Sequence, residues 1–118
     1  MEHLHLLVSA LEAMLVRSPW SRQQSVQSWL DLTRGEAQEA LECDDQHLLD
    51  ELADTLWCVL SAILKHGGRE GLESACQLAQ AKIARRKPWL SGDPSGDPKT
   101  LADEVRIWQA AKAAEKKE

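Results

Sequence analysis

Leucines and other apolar residues recur at steps of three and four along most of this chain, and the phase of that recurrence breaks wherever glycine or proline intervenes. Leu4, Leu7, Leu11, Met14 and Leu15 define a first amphipathic helix over 2–16, which Ser18-Pro19 stops. A turn over 20–23 follows, with Ser21 as a candidate cap. A second helix is predicted over about 24–42, with Val26, Leu30, Ala37 and Leu41 inward. Asp44 or Asp45 is suited to cap a third helix, 46–65, whose inward stripe reads Leu49, Leu52, Leu56, Leu60 and Ile63 and which Gly67-Gly68 ends. The fourth, 70–86, turns Leu72, Cys76, Ala79 and Ile83 inward and stops at Pro88. Residues 91–99 (SGDPSGDPK) read as a loop, Thr100 caps a last helix to about 114, and 115–118 form a charged tail. No alternating strand pattern occurs. The expectation is a single all-α domain over 1–118, a compact bundle of about five helices.

Charge changes this picture locally. Glu36 with Glu39, and Glu51 with Asp54, are pairs three residues apart, and each pair therefore shares one helix face. If the second and third helices run back to back, the four carboxylates converge. Anions packed together in a partly dry site repel by several kcal/mol, a cost that a divalent cation removes. All four are hard oxygen donors and no histidine stands at a spacing that joins them, so Mg2+ fits, with Mn2+ able to substitute, and zinc does not. The Glu-x-x-His pairs of di-iron bundles are also missing. Because Mg2+ keeps waters and engages phosphate oxygens, such a nest points to a phosphoanhydride substrate. Cations and an aromatic surface for a base would complete it: Lys82 and Arg86 lie one turn apart, as do Trp108 and Lys112, although the same residues also suit a helix C-terminus and a core.

The net charge of −5 with interspersed signs excludes a basic stripe for a nucleic-acid polymer. Cys43, Cys58 and Cys76 are odd in number and lack C-x-x-C spacing, which speaks for a reducing compartment. No leader is read at the start and no apolar run is long enough for a bilayer, so a cytoplasmic protein without a membrane partner is expected.

The segments SPWSRQQS, RGEAQEALE, DELADTLW, AKIARRKPWLSGD and VRIWQAAK, in this order from Ser18 to Lys112, resemble the MazG nucleotide pyrophosphohydrolases of the all-alpha NTP-pyrophosphatase superfamily. The resemblance places Glu36, Glu39, Glu51 and Asp54 on the Mg2+ ligand positions of the family's EExxE and ExxD elements, as metal-binding and catalytic residues. It implies hydrolysis of an NTP or dNTP between the α and β phosphates to NMP and pyrophosphate, with Glu39 orienting or deprotonating the water. Lys82 and Arg86 match positions that approach the phosphates, and Trp108 and Lys112 positions near the nucleotide. It further implies a homodimer or dimer of dimers whose neighbouring subunits close the cleft, in keeping with more apolar surface, Trp57 included, than a monomer of this size buries. The departures are Gly35 for the first glutamate of EExxE, Ser21 for an aspartate, Ala53 for a glycine, and Lys87-Pro88-Trp89-Leu90 for the usual ending. Alternatives are a phosphoribosyl-ATP or deoxynucleotide-specific pyrophosphohydrolase, and a helical protein that binds a nucleotide without turnover.

Overall fold

The computed structural model describes residues 2–116. It is all-α: α1 (Glu2–Arg17), α2 (Pro19–Gln23), α3 (Val26–Glu42), α4 (Leu48–Arg86) and α5 (Leu101–Lys116). Short 3-10 turns at Pro88–Ser91 and Pro94–Gly96 lie between α4 and α5. No strand occurs among the described residues. By contacts the chain divides into two units, Met1–Glu73 and Ser74–Glu118.

Local chemistry accounts for the boundaries. Ser18 precedes Pro19 and its hydroxyl accepts from Ser21 N at 3.2 Å, so the expected turn is a short helix capped by Ser18, while Ser21 is buried. Ser25 and Ser28 then form a reciprocal capping box, which moves the start of α3 to Val26. After α3, Asp44 Oδ1 accepts from His47 N at 3.0 Å and from its ring Nδ1 at 2.7 Å, fixing the turn into α4. Thr100 caps α5 through Asp103 N at 3.1 Å. α5 continues two residues past the expected end near 114, to Lys116, and the rest of the expected tail, 117–118, lies outside the described residues.

Inside α4, Gly68 has φ 66° and ψ −162°, so the stretch is two helical arms, 48–67 and 69–86. That backbone conformation belongs almost only to glycine. The glycine pair therefore breaks the helix where the sequence indicates, although the ladder resumes at once.

In the first unit Val8 and Leu11 of α1 pack on Leu60 and Leu64 of α4, with Trp57 and Met14 against them. Trp29 of α3 is wholly buried and meets Trp57 edge to face at 5.9 Å and Trp20 at 5.6 Å. The stripe on α4 differs from the expected one. Leu60 is inside, but Leu49 is 79% exposed and Leu52 and Leu56 are also exposed, while Cys58, Ser61 and Ala62 are buried. Small residues let neighbouring helices come close on that side, and the Ser61 hydroxyl is satisfied by donating to the Trp57 carbonyl at 2.7 Å. On α3, Leu30 and Leu41 are likewise exposed, Leu41 at 81%. In the second unit Ile83 and Cys76, expected inward, are exposed.

Candidate metal centre

α3 and the first arm of α4 form an antiparallel hairpin, since Trp29 meets Trp57 while Glu36, seven residues further on, meets Glu51 and Asp54. One carboxylate oxygen from each of Glu36, Glu51 and Asp54 lies within 4.8 Å of the others. All three residues are half-buried. Glu39 is exposed and outside this trio, yet near enough to bear on it. Burial first, then a hydrogen bond with Glu39 and the charges of Glu39, Asp54 and Glu51, raises the Glu36 carboxyl above its ordinary range. Glu51 is raised by burial, then by the charges of Glu39 and Asp54 and a hydrogen bond with Glu39.

Nothing basic offsets this charge: none of the ion pairs among the described residues includes Glu36, Glu39, Glu51 or Asp54. Glu36 Oε2 and Glu51 Oε2 are buried without a hydrogen-bond partner, a costly state that a cation would relieve. Asp54 Oδ1 accepts from Trp57 Nε1 at 3.1 Å. Cys58 lies behind the trio, but burial, and then the charges of Glu36 and Asp54, push its thiol up to about 11. The clustered donor atoms are those of Glu36, Glu51 and Asp54, all carboxylate oxygens, a set that fits a hard divalent cation.

The remaining expected site residues all belong to the second unit. Lys82 is exposed and joins none of the ion pairs among the described residues. Arg86 is half-buried, and its Nη2 donates to Glu115 Oε2 at 3.2 Å while Arg85 Nε donates to Oε1 of the same carboxylate at 3.2 Å. The two guanidinium groups, Arg86 before Arg85, hold the Glu115 carboxyl below its usual range. Lys87 pairs with Glu104. Trp108 and Lys112 come together, the ammonium 5.4 Å from the ring centroid, and both are exposed. Sequence reasoning counted Trp57 only as surplus apolar surface and Glu115 only as part of a charged tail; Trp57 is instead half-buried against the Val8, Leu11, Leu60 and Leu64 core. The i,i+3 relation of Asp54 to Trp57 is a signal that could have found their contact; Glu115 stands 29 residues from Arg86 and carries none.

An α-helical hairpin that concentrates carboxylates without a basic partner among the described residues defines the class: an all-α protein with a candidate divalent-cation cluster at Glu36, Glu51 and Asp54. A family model described as the MazG nucleotide pyrophosphohydrolase domain matches residues 24–91, more than half of the 118-residue chain. The chain belongs to the MazG family. The match takes in the four acidic residues, Lys82 and Arg86, whereas Trp108 and Lys112 lie beyond it. No curated protein and no solved structure matches the chain. No helix among the described residues is long and apolar enough to cross a membrane.

Proposed function

We propose that this protein is a Mg2+-dependent nucleoside triphosphate pyrophosphohydrolase that cleaves NTPs or dNTPs between the α and β phosphates, in the cytoplasm, to clear unwanted nucleotides. The observation that carries this reading is the carboxylate trio with two buried, unpartnered oxygens inside a segment matched by the MazG family. Glu36, Glu51 and Asp54 hold the divalent ion, and Glu39, the exposed member at the rim, orients the attacking water or takes its proton. When bound, Mg2+ or Mn2+ neutralises phosphate charge and lowers the cost of charge building up on the bridging oxygen. Water supplies the oxygen that ends on one product phosphate as the bond between the α and β phosphates breaks. Lys82 and Arg86 serve the phosphates, and Arg86 does so with a guanidinium already oriented by Glu115. Trp108 and Lys112 pack against the nucleotide. The family match over 24–91 takes in residues of both units, and a single MazG-like domain over 1–118 goes with this reading.

A homodimer or dimer of dimers goes with this reading. An apolar groove of about 350 Å3, lined by Ala37, Ala40, Leu41, Leu48, Leu52 and Thr55, runs along the hairpin where the exposed leucines lie. Apolar area of this kind gains about 25 cal/mol per Å2 when covered. Gly35, in place of a family glutamate, favours keeping a second reading in the test: a nucleotide-binding protein without turnover, or one restricted to deoxynucleotides or phosphoribosyl-ATP. Product analysis with the common NTPs and dNTPs, dUTP and oxidised nucleotides under Mg2+ and then EDTA decides. Monophosphate plus pyrophosphate, abolished by EDTA, is expected. Diphosphate plus phosphate would overturn the reading, and tight binding without product would establish the binding protein.

A further inference from the structure

We infer that Trp57 is a positioning residue of the metal centre, holding the Asp54 carboxylate in place through its indole N–H; the inference rests on the divalent-ion reading proposed above. Of the three clustered carboxylates, Glu36 and Glu51 each keep a buried oxygen without a partner, whereas Asp54 Oδ1 is held by Trp57 Nε1 at 3.1 Å. The trio therefore has one member set in advance and two waiting.

The donor is itself held. Trp57 packs against the Val8, Leu11, Leu60 and Leu64 core, and the wholly buried Trp29 meets it edge to face, ring centroids 5.9 Å apart at 75°. Trp29 is braced in turn by Trp20 of α2 at 5.6 Å and 89°. A chain of three indoles thus runs from α2 through α3 to the carboxylate, and the N–H direction is fixed by packing rather than by a flexible stem.

The chemistry of the group suits the task. An indole N–H donates and never accepts, so it cannot compete as a ligand, and it carries no charge that would cancel the carboxylate's attraction for a cation. Arginine or lysine at this place would neutralise Asp54; glutamine would bring an oxygen of its own. Partners that orient ligating carboxylates characteristically govern metal affinity by 10-fold to 100-fold.

The test is calorimetric titration of the metal-free protein with Mg2+ and with Mn2+, comparing wild type, Trp57→Phe, and Leu60→Ala, which weakens the same core without touching the hydrogen bond. Trp57→Phe is expected to bind at least about 10-fold more weakly, and Leu60→Ala within 2-fold of wild type. Equal affinity of Trp57→Phe and wild type overturns the inference alone; equal loss in both variants assigns Trp57 to packing and also overturns it. Absence of binding by wild type overturns the divalent-ion reading and this inference with it. If Trp57→Phe does not fold, the indole N–H resonances of the wild-type protein serve instead. One of them should move on Mg2+ saturation and be displaced in Asp54→Asn before any metal is added, and five unmoved resonances would contradict the inference.

Discussion

Two acidic settings in this molecule have opposite chemistry. In the first unit Glu36 and Glu51 face other carboxylates, and their carboxyls are raised, first by burial and then by their acidic neighbours. In the second, Glu115 faces Arg86 and Arg85 and is lowered by their hydrogen bonds. Glu115 is complete as it stands, its charge matched within its own unit. The Glu36, Glu51 and Asp54 group has no such counter-charge among the described residues, and uncompensated charge at a half-buried site is what makes it a candidate for binding. Counting acidic residues would not tell the two apart; their partners do.

The comparison breaks most visibly at the trio itself. Glu51→Gln should lower pyrophosphohydrolase activity by more than about 100-fold, beyond what losing an outer partner costs, while the metal-free protein melts no lower than wild type. A lower melting temperature with activity retained would mean that Glu51 is structural.

Next comes the response to pH. The folded-state values of Glu36 and Glu51 lie above the ordinary 4.5, so the folded protein binds protons more tightly than the unfolded chain at these two groups. Their contribution to stability is therefore greatest at low pH and falls as pH rises from the ordinary carboxylate range through the raised values. Mg2+ must displace those protons. The Mg2+-induced rise in melting temperature should be full at pH 7.5 and shrink as pH falls toward 4.5. Glu115, with its lowered value, acts in the opposite sense: its contribution is present above the ordinary range and is lost as pH falls through the lowered value. Differential scanning fluorimetry of wild type and Glu36→Gln separates the two, because the variant should lose most of the Mg2+ shift at every pH while the acid-side loss that Glu115 carries stays.

Smaller effects follow in the backbone. Gly68→Ala forces a side chain into a conformation that glycine alone adopts readily and should cost about 1–3 kcal/mol, read by urea denaturation. Gly35 is an exposed residue inside α3 where an added Cβ meets nothing within 4 Å. Gly35→Ala should stabilise by about 0.5–1 kcal/mol and leave Mg2+ binding unchanged.

Much of the fold was legible because its signals are local. Periodicity gave the helices, Ser18-Pro19 the first break, Thr100 the last cap and Gly67-Gly68 the interruption. The convergence of Glu36, Glu51 and Asp54 was legible too, since spacing within α3 and α4 plus a short turn leaves little choice. What the pattern could not give was which apolar face this chain buries for itself. Leu49, Leu52 and Leu56 form as good a stripe as any, yet they stay exposed while the Cys58, Ser61 and Ala62 side is covered. Periodicity identifies an apolar face and is silent on whether its cover comes from the same chain. Glu39 at the rim and Glu115 against Arg86 were hidden for a related reason, because exposure and pairing across 29 residues are tertiary facts.

The central claim is that the carboxylate hairpin is a divalent-ion site. Electron paramagnetic resonance of free Mn2+ in the presence of the metal-free protein measures it directly. Wild type should remove at least one Mn2+ per chain from solution at pH 7.5, displaceable by Mg2+, and the Glu36→Gln, Glu51→Gln double variant should remove none while keeping its helical circular dichroism. Equal Mn2+ uptake by the folded double variant would contradict the account.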